Sequence, residues 1–373
     1  MNYSGLYQSL VKYYSVLPKW ICPGYALSPL QVFVEITYHC NLSCNFCQFS
    51  QDAAGGSPQR MHGRQELSSE AISRLIGQLP ARTLVSFTGG EPLVKKGFYQ
   101  LLHQVSQGKK THVFTNGTLI DDHLAGTLIS LGSKNIFSPG LVLVDVSLEG
   151  GRETHNTITQ RSAAYERTVG GLSSLVRHKR AAGKKYPLLE MKTVISADNV
   201  SELSGLYRLA MDLGVDYFNI MTMNTIPHHT RLQGNGTTAD CMTGPDPVLG
   251  VDTQVLAVEL EKIKALAAQC PVKIRTTPQN ISFAEILAYY NQTADINNYT
   301  CYFPWYSMGL TAYGDVVICP YCQVGNIRHG TWKEVLNNPK ARSFRRQLKK
   351  HSIFPGCSGC CMLHPKKVVR SRN

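Results

Sequence analysis

The sequence contains no run approaching the ~18 consecutive apolar residues that a membrane-crossing helix requires, so no transmembrane segment is expected. Its first twenty residues, MNYSGLYQSLVKYYSVLPKW, place lysines and tyrosines where a secretory signal needs an unbroken apolar core. The expected location is therefore cytoplasmic. Internal repeats and low-complexity tracts are missing, which excludes solenoids and fibrous arrays. Acidic residues are sparse, with 25 Asp+Glu against 38 Lys+Arg and a formal net charge of +13, which favours an anionic partner and would equally serve docking of an acidic protein. The hydrophobic share of 43% is ordinary and excludes disorder. A length of 373 residues allows two or three domains, or one α/β barrel with an appendage.

What is abundant is cysteine, with 12 residues. In a reducing compartment these read as metal ligands, catalytic groups or buried thiols rather than disulfides. Cys40, Cys44 and Cys47 crowd together near one end. Cys301, Cys319, Cys322, Cys357, Cys360 and Cys361 crowd near the other. Cys22, Cys241 and Cys270 are isolated, and buried packing is the expectation for each. Two clusters imply two metal centres.

Between these clusters, short β-like runs alternate with helical patterns. The strand candidates are 31–37, 83–88, 111–115, 141–148, 189–195 and 217–223, with helices such as 68–79, 97–108 and 199–214 between them. Such alternation builds a parallel sheet, either doubly wound or a barrel. Residues 224–252 are turn-rich and read as a long loop. Helix 255–269, strand 272–276 and helix 282–291 follow. After Cys301 comes a hairpin turning at Tyr313-Gly314-Asp315, then one helix over 332–350 whose basic segment RSFRRQLKK reads as a solvated face.

Cys40-Asn-Leu-Ser-Cys44-Asn-Phe-Cys47 follows directly on the first strand. Three thiolates can ligate three irons of a cubane cluster, whereas a closed structural cluster takes a fourth cysteine. The remaining iron is then a Lewis-acid site open to a small chelating ligand, which is how catalytic metal sites differ from structural ones. A zinc knuckle is the alternative, and it lacks a fourth ligand at short range.

This motif resembles the signature of the radical SAM superfamily, with the aromatic Phe46 before the last cysteine. Thr88-Gly89-Gly90-Glu91-Pro92 resembles the family's GGEP motif. Thr115-Asn116-Gly117 and Ser147-Leu148-Glu149-Gly150 resemble the next two strand ends. The resemblance implies a partial (β/α)6 TIM-like barrel of parallel strands, with chemistry on the rim where the strands end. It also implies S-adenosylmethionine chelated by a [4Fe–4S] cluster on Cys40, Cys44 and Cys47. Gly89 and Gly90 would then allow close backbone approach, Glu91 would accept a hydrogen bond from the ligand's amino group, and Asn116 and Ser147 would meet its ribose and carboxylate. Phe46 would lie near adenine. For Glu91 and Ser147 the alternative is ordinary helix capping. In relatives an Arg twelve residues after the Ser often grips the carboxylate; here that position is Thr159, leaving Arg161 and Lys192 as candidates.

The C-terminal layout, from CYFPW through YGDVVICP to FPGCSGCC, resembles the family's SPASM/twitch extension, a small cysteine-rich domain with a β-hairpin and helix. The resemblance implies one auxiliary [4Fe–4S] cluster on Cys301, Cys319, Cys357 and Cys360. A zinc ribbon on Cys319, Cys322, Cys357 and Cys360 is the competing reading. Cys322 and Cys361 are spare, and each is a candidate hydrogen-atom donor, a replacement cluster ligand or a packing residue. The expected division is an N-terminal extension (1–30), the radical SAM core (31–223), a loop insertion and connecting βα segment (224–295), the SPASM/twitch domain (296–364) and a basic tail (365–373).

The expected reaction is hydrogen abstraction by a 5′-deoxyadenosyl radical. It would lead to oxidation or epimerisation of a small oxygenated or phosphorylated metabolite such as a sugar. Only about thirty residues precede the first strand, too few for the leader-binding domain that many peptide-modifying relatives carry. Modification of a ribosomally made peptide (crosslink, thioether or epimer) is the second reading. A flavodoxin- or ferredoxin-type electron donor is the expected protein partner. A non-enzymatic iron–sulfur or nucleic-acid-binding protein is the lowest alternative, and no nucleic acid is expected because the cations are scattered.

Overall fold

A computed structural model describes residues 3–47, 64–223 and 250–366, with side chains from Val11 onward in the first segment. Cys241, most of the expected 224–252 loop and the last seven residues of the tail lie outside the described residues. Among the described residues no helix is long and apolar enough to cross a membrane.

The strands are β1 (Gln31–Glu35), β2 (Leu84–Thr88), β3 (Lys110–Thr115), β4 (Gly140–Ser147), β5 (Leu188–Val194), β6 (Tyr217–Met221) and β7 (Lys273–Thr277). They pair in parallel, each with its predecessor, and helices fill the crossovers. The architecture is α/β with the parallel sheet of a partial barrel. Alternate residues make one face apolar: Val144, Val146, Met191, Phe218 and Ile220 sit in the core with helix residues Leu128, Leu172, Leu175 and Leu206. The strand expected at 272–276 extends the sheet as its seventh parallel member rather than standing apart.

The C-terminal region adds β8 (Tyr299–Cys301), β9 (Ser307–Leu310), β10 (Asp315–Cys319), β11 (Cys322–Asn326) and β12 (Leu363–Pro365). The expected hairpin forms, with β9 antiparallel to β10. It is not a detached layer, because β9 pairs in parallel with β1 and makes one ten-stranded sheet in the order β11-β10-β9-β1-β2-β3-β4-β5-β6-β7. β8 and β12 form a separate antiparallel pair.

The helix expected over 332–350 is two helices, Trp332–Leu336 and Pro339–His351. The break lies at Asn337-Asn338: the Asn338 side chain caps Ala341, and Pro339 starts the second helix where a missing N–H costs nothing. That second helix is not a wholly solvated face. Arg345 is fully buried, donating to the carbonyls of Pro304 (2.6 Å) and Gly24 (3.1 Å), so a cation serves as an internal tie. A helix over Tyr3–Ile21 fills the N-terminal extension, and Trp305 Nε1 donates to the Pro23 carbonyl just beyond it (3.2 Å). Cys22, expected to be buried, is exposed because it follows the outward side of this helix; Cys270 is half-buried.

Candidate active site

The cysteine loop leaves β1 and is clamped by its neighbours. The Gly90 amide donates to the Thr37 carbonyl (2.7 Å), and the Glu91 amide donates to that of His39 (2.9 Å). A Cβ on Gly89 would stand 2.3 Å from the Thr37 carbonyl oxygen, and one on Gly90 2.3 Å from that of His39. Both glycines therefore let the β2 end press on the cysteine loop itself, backbone against backbone. From the other side the amides of Ser43 and Asn45 donate to the carbonyls of Thr159 (3.1 Å) and Ile158 (2.9 Å), at the end of helix Arg152–Thr159.

Glu91 is 1% exposed, and both carboxylate oxygens are engaged. Oε1 accepts from the Leu93 amide (3.0 Å) and the Thr115 hydroxyl (2.8 Å), and Oε2 from the Asn116 amide (2.7 Å). Burial pushes its pKa up, and these donors oppose the shift. Asn116 in turn donates to Asn41 Oδ1 (2.9 Å) and reaches the Cys40 sulfur at 3.8 Å. Phe46 is half-buried between Cys44 and Cys47. Ser147 ends β4 in register with Lys192 of β5. Arg161 is exposed just past the clamping helix. Thr159 is buried with its hydroxyl on the His155 carbonyl (2.7 Å), so this position is spent on holding the helix end.

The three thiols influence one another. Burial raises the Cys44 pKa most, and Cys47, Glu149 and Cys40 add to it. Burial likewise raises Cys40, with Glu91 and Cys47 contributing. An all-sulfur donor set of this kind fits iron–sulfur ligation. Among the described residues no group of three or more His, Cys, Asp or Glu is drawn tightly enough for a single metal ion. Thiolates on separate irons of a cubane do not require that closeness.

One group escaped the sequence reading. Glu149 is buried, its carboxylate accepts from the Val194 amide (2.8 Å), and burial pushes its pKa up to about 7. Its own amide donates to His155 Nδ1 (3.0 Å), and Asn199 donates to its carbonyl (2.8 Å). The four-residue strand-end string contained Glu149 but gave no sign that its carboxylate adds to the rise in the Cys44 pKa.

At the second centre, Cys301, Cys357 and Cys360 are buried and act on one another. Burial and then Cys357 push Cys301 up to about 12. A hydrogen bond with Cys361 raises Cys360, followed by burial. Cys361 therefore stands beside this set. Cys319 and Cys322 face each other in register across the β10–β11 turn. Cys322 packs in the hydrophobic core, near Lys340 and Arg345.

Comparison with known proteins matches residues 34–182 to the radical SAM superfamily and residues 301–361 to SPASM, an iron–sulfur cluster-binding domain. The protein is a radical SAM superfamily enzyme with a C-terminal SPASM domain. It is 24% identical over 345 residues to the tungsten-containing aldehyde ferredoxin oxidoreductase cofactor-modifying protein of Pyrococcus furiosus, covering 89% of this chain and 87% of that protein. It is 23% identical over 197 residues to the AdoMet-dependent heme synthase of Methanosarcina barkeri, spanning 52% of this chain and half (50%) of that relative. The fold matches Streptococcus suis SuiB bound to its precursor peptide SuiA, with a TM-score of 0.61 at 16% identity over 97% of this chain and 76% of that one. It also matches anSMEcpe with bound AdoMet and the Cp18Cys peptide, with a TM-score of 0.54 at 18% identity over 84% of this chain and 81% of that one.

The sheet face opposite the apolar core carries a cluster of polar side chains on β3 to β7, beside the stacked rings of Phe33 and Phe114. Arg275 is ion-paired to Glu190 (2.6 Å), which also accepts from Asn219 (2.6 Å). Lys192 lies 3.4 Å from Asp145 and sits over the Phe114 ring. Asp145 and Glu190 are buried, whereas the two cations keep 14% and 22% of their side chains exposed. Burial pushes Asp145 up to about 7, and its Oδ1 has no hydrogen-bond partner among the described residues. His112 is held neutral by burial; its Nδ1 lies 3.4 Å from the Ser86 hydroxyl, which accepts from Gln31 (3.0 Å). His112 Nε2 has no hydrogen-bond partner among the described residues.

Proposed function

We propose that this radical SAM enzyme oxidises a small hydroxylated or phosphorylated metabolite such as a sugar. The observation that carries the reading is the polar layer of Asp145, Glu190, Lys192, Arg275, Asn219 and His112 on the inner face. Its two solvent-reachable members are cations, suited to the oxygens of a phosphate or carboxylate. Beneath them Asp145 Oδ1 and His112 Nε2 have no hydrogen-bond partner among the described residues, which leaves two polar atoms for the hydroxyl groups of a ligand.

The bound cluster supplies reductive cleavage of S-adenosylmethionine to methionine and the 5′-deoxyadenosyl radical. The chain's own residues bind and orient. Cys40, Cys44 and Cys47 would hold the cluster, and Asn116 fixes their loop through Asn41. Glu91 locks the β2 end to the β3 end beneath it. Gly89, Gly90, Glu91, Asn116, Ser147 and Phe46 would line the S-adenosylmethionine site, with Arg161 or Lys192 meeting its carboxylate. Lys192 already lies beside Asp145, which supports a role towards substrate for it and leaves Arg161 for the cofactor. Cys301, Cys319, Cys357 and Cys360 would hold one auxiliary cluster.

Oxidation is favoured over epimerisation because neither spare thiol is free-standing at the inner face. Cys322 sits on β11, three strands beyond β1, inside a hydrophobic core, and Cys361 is hydrogen-bonded to Cys360. The test is turnover in deuterated water with a panel of sugar phosphates and polyols, using wild type, Cys322→Ala and Cys361→Ala. A product two hydrogens lighter without solvent label supports oxidation. Solvent deuterium at the abstracted carbon, lost in one variant, overturns it and names the donor.

The fold shared with SuiB bound to its precursor peptide supports a second reading, modification of a ribosomal peptide. If 5′-deoxyadenosine formation responds to a precursor peptide and not to the metabolite panel, this reading replaces the first.

A further inference from the structure

The N-terminal helix is amphipathic in the reverse sense. Tyr13, Leu17, Trp20 and Ile21 fall at spacings of four, three and one, which gather on one helical stripe. That stripe faces solvent: the four residues are 75%, 59%, 67% and 70% exposed. Lys19, in contrast, is buried at 9%. Exposed large apolar side chains clustered in this way mark an interaction site more often than a bare surface.

Two observations say what covers it. The rim is cationic: Lys349 lies over the Trp20 ring and Arg342 over the Tyr25 ring, with Arg346 and Lys350 exposed on the same helix. Neither segment 3–25 nor segment 339–351 contains an acidic residue. Secondly, the stripe adjoins the second cysteine centre. Lys19, next to Trp20, donates to the Cys301 carbonyl (3.4 Å) and the Thr300 hydroxyl (3.3 Å), and lies over the Tyr302 and Trp305 rings. One residue thus separates an exposed indole from a ligand of the auxiliary cluster.

We propose that this stripe docks an acidic one-electron redox protein, and that electrons cross there between the partner and the auxiliary cluster. An apolar patch with a cationic rim fits a partner with an apolar patch and an acidic rim, which steers encounter and fixes orientation. In each transfer the iron–sulfur group at Cys301 gives up one electron and the oxidised partner gains one; no bond forms and no proton moves. The proposal rests on Cys301 being a cluster ligand.

The test uses the anaerobically reconstituted full-length protein with an acidic [4Fe–4S] ferredoxin and an acidic flavodoxin as probes. Binding is followed by calorimetry at low and high salt for wild type, Leu17→Ser/Trp20→Ser/Ile21→Ser and Arg342→Glu/Lys349→Glu. At least one probe should bind wild type more weakly as salt rises. Each variant should weaken that binding at least tenfold, while iron content and dithionite-driven 5′-deoxyadenosine formation stay at wild-type levels. Wild-type affinity in both variants overturns the proposal, as does failure of both probes to bind wild type. Binding to phosphatidylglycerol vesicles that the triple variant abolishes, with no response to either probe, assigns the stripe to a lipid surface instead. Dimerisation in sedimentation that the triple variant abolishes assigns it to a second copy. Loss of the clusters in wild type would count against the proposed function and leave the binding result readable on its own.

Discussion

The carboxylate of Glu91 accepts the backbone amide of Asn116 at 2.7 Å, so the end of β2 is fastened to the end of β3 by a side chain with almost no contact with water. Asn116 then passes the constraint to Asn41, inside the cysteine loop. Two strand-end motifs that read as separate strings are one assembly.

Replacing Glu91 by Ala should weaken S-adenosylmethionine binding tenfold to a hundredfold with the first cluster intact. Besides the Leu93, Thr115 and Asn116 donors it already holds, Glu91 would accept the ligand's amino group, and losing that one charge-assisted hydrogen bond corresponds to about 1.5–3 kcal/mol. Equilibrium binding to the reconstituted enzyme reads this, and an unchanged affinity would reduce Glu91 to a structural cap.

Gly89 has a φ of 128°, and its missing Cβ leaves room for the Thr37 carbonyl. Gly89→Ala should cost about 1–3 kcal/mol in backbone strain alone, before the clash is counted. Thermal unfolding should shift downward, and cluster loading on Cys40, Cys44 and Cys47 should fall with it. A variant that melts and loads like wild type would sink this account of the cysteine loop.

Wild type should bind roughly eight irons after anaerobic reconstitution, as two cubane clusters require. A Cys40→Ala/Cys44→Ala/Cys47→Ala variant should retain about four and cleave no S-adenosylmethionine. Cys319→Ala should lose the auxiliary four, whereas Cys361→Ala should keep them. The opposite result for that last pair would transfer the fourth ligand to Cys361, the neighbour hydrogen-bonded to Cys360. Recovery of zinc with four irons would revive the ribbon.

His155 is 1% exposed, and burial lowers its pKa from 6.5 to about 4. An unfolded chain takes up that proton near the ordinary value, and the folded chain refuses it until about pH 4. Between the two values the unfolded state holds more protons, so stability falls as the pH drops through this window. The full contribution is about 3 kcal/mol. Asp145 and Glu149, both pushed up to about 7, act in the opposite sense, so the measurement is a difference. The denaturation midpoint of wild type should drop more steeply from pH 7 to 4.5 than that of His155→Gln. Parallel pH profiles would show that His155 is not the responsible group.

The rim of the sheet was legible because its motifs are local. Gly89-Gly90-Glu91 and Cys40 to Cys47 each lie within one strand end, and β-period runs marked the strands to within one or two residues. Partnership between distant segments was not legible. Periodicity puts Tyr13, Leu17 and Trp20 on one stripe but does not say that the stripe faces outward and Lys19 inward. Arg345 read as a solvated cation because its partners are carbonyls at Gly24 and Pro304, which no spacing rule connects to it. Glu149 escaped because a buried carboxylate bonded to a backbone amide leaves no signature in the sequence around it.

The parallel pairing of β9 with β1 has a consequence for dissecting the molecule. Cut the chain ahead of β8, and β1 becomes a bare margin whose Gln31 and Phe33 carry unpaired peptide groups. Such margins recruit other chains and aggregate. The amino-terminal portion should therefore be insoluble when expressed alone, and co-expression of the missing segment should rescue it as a two-piece complementation pair. Melting of the intact protein should be a single cooperative event, since the strand that begins the first portion is also the seam by which the second is sewn on.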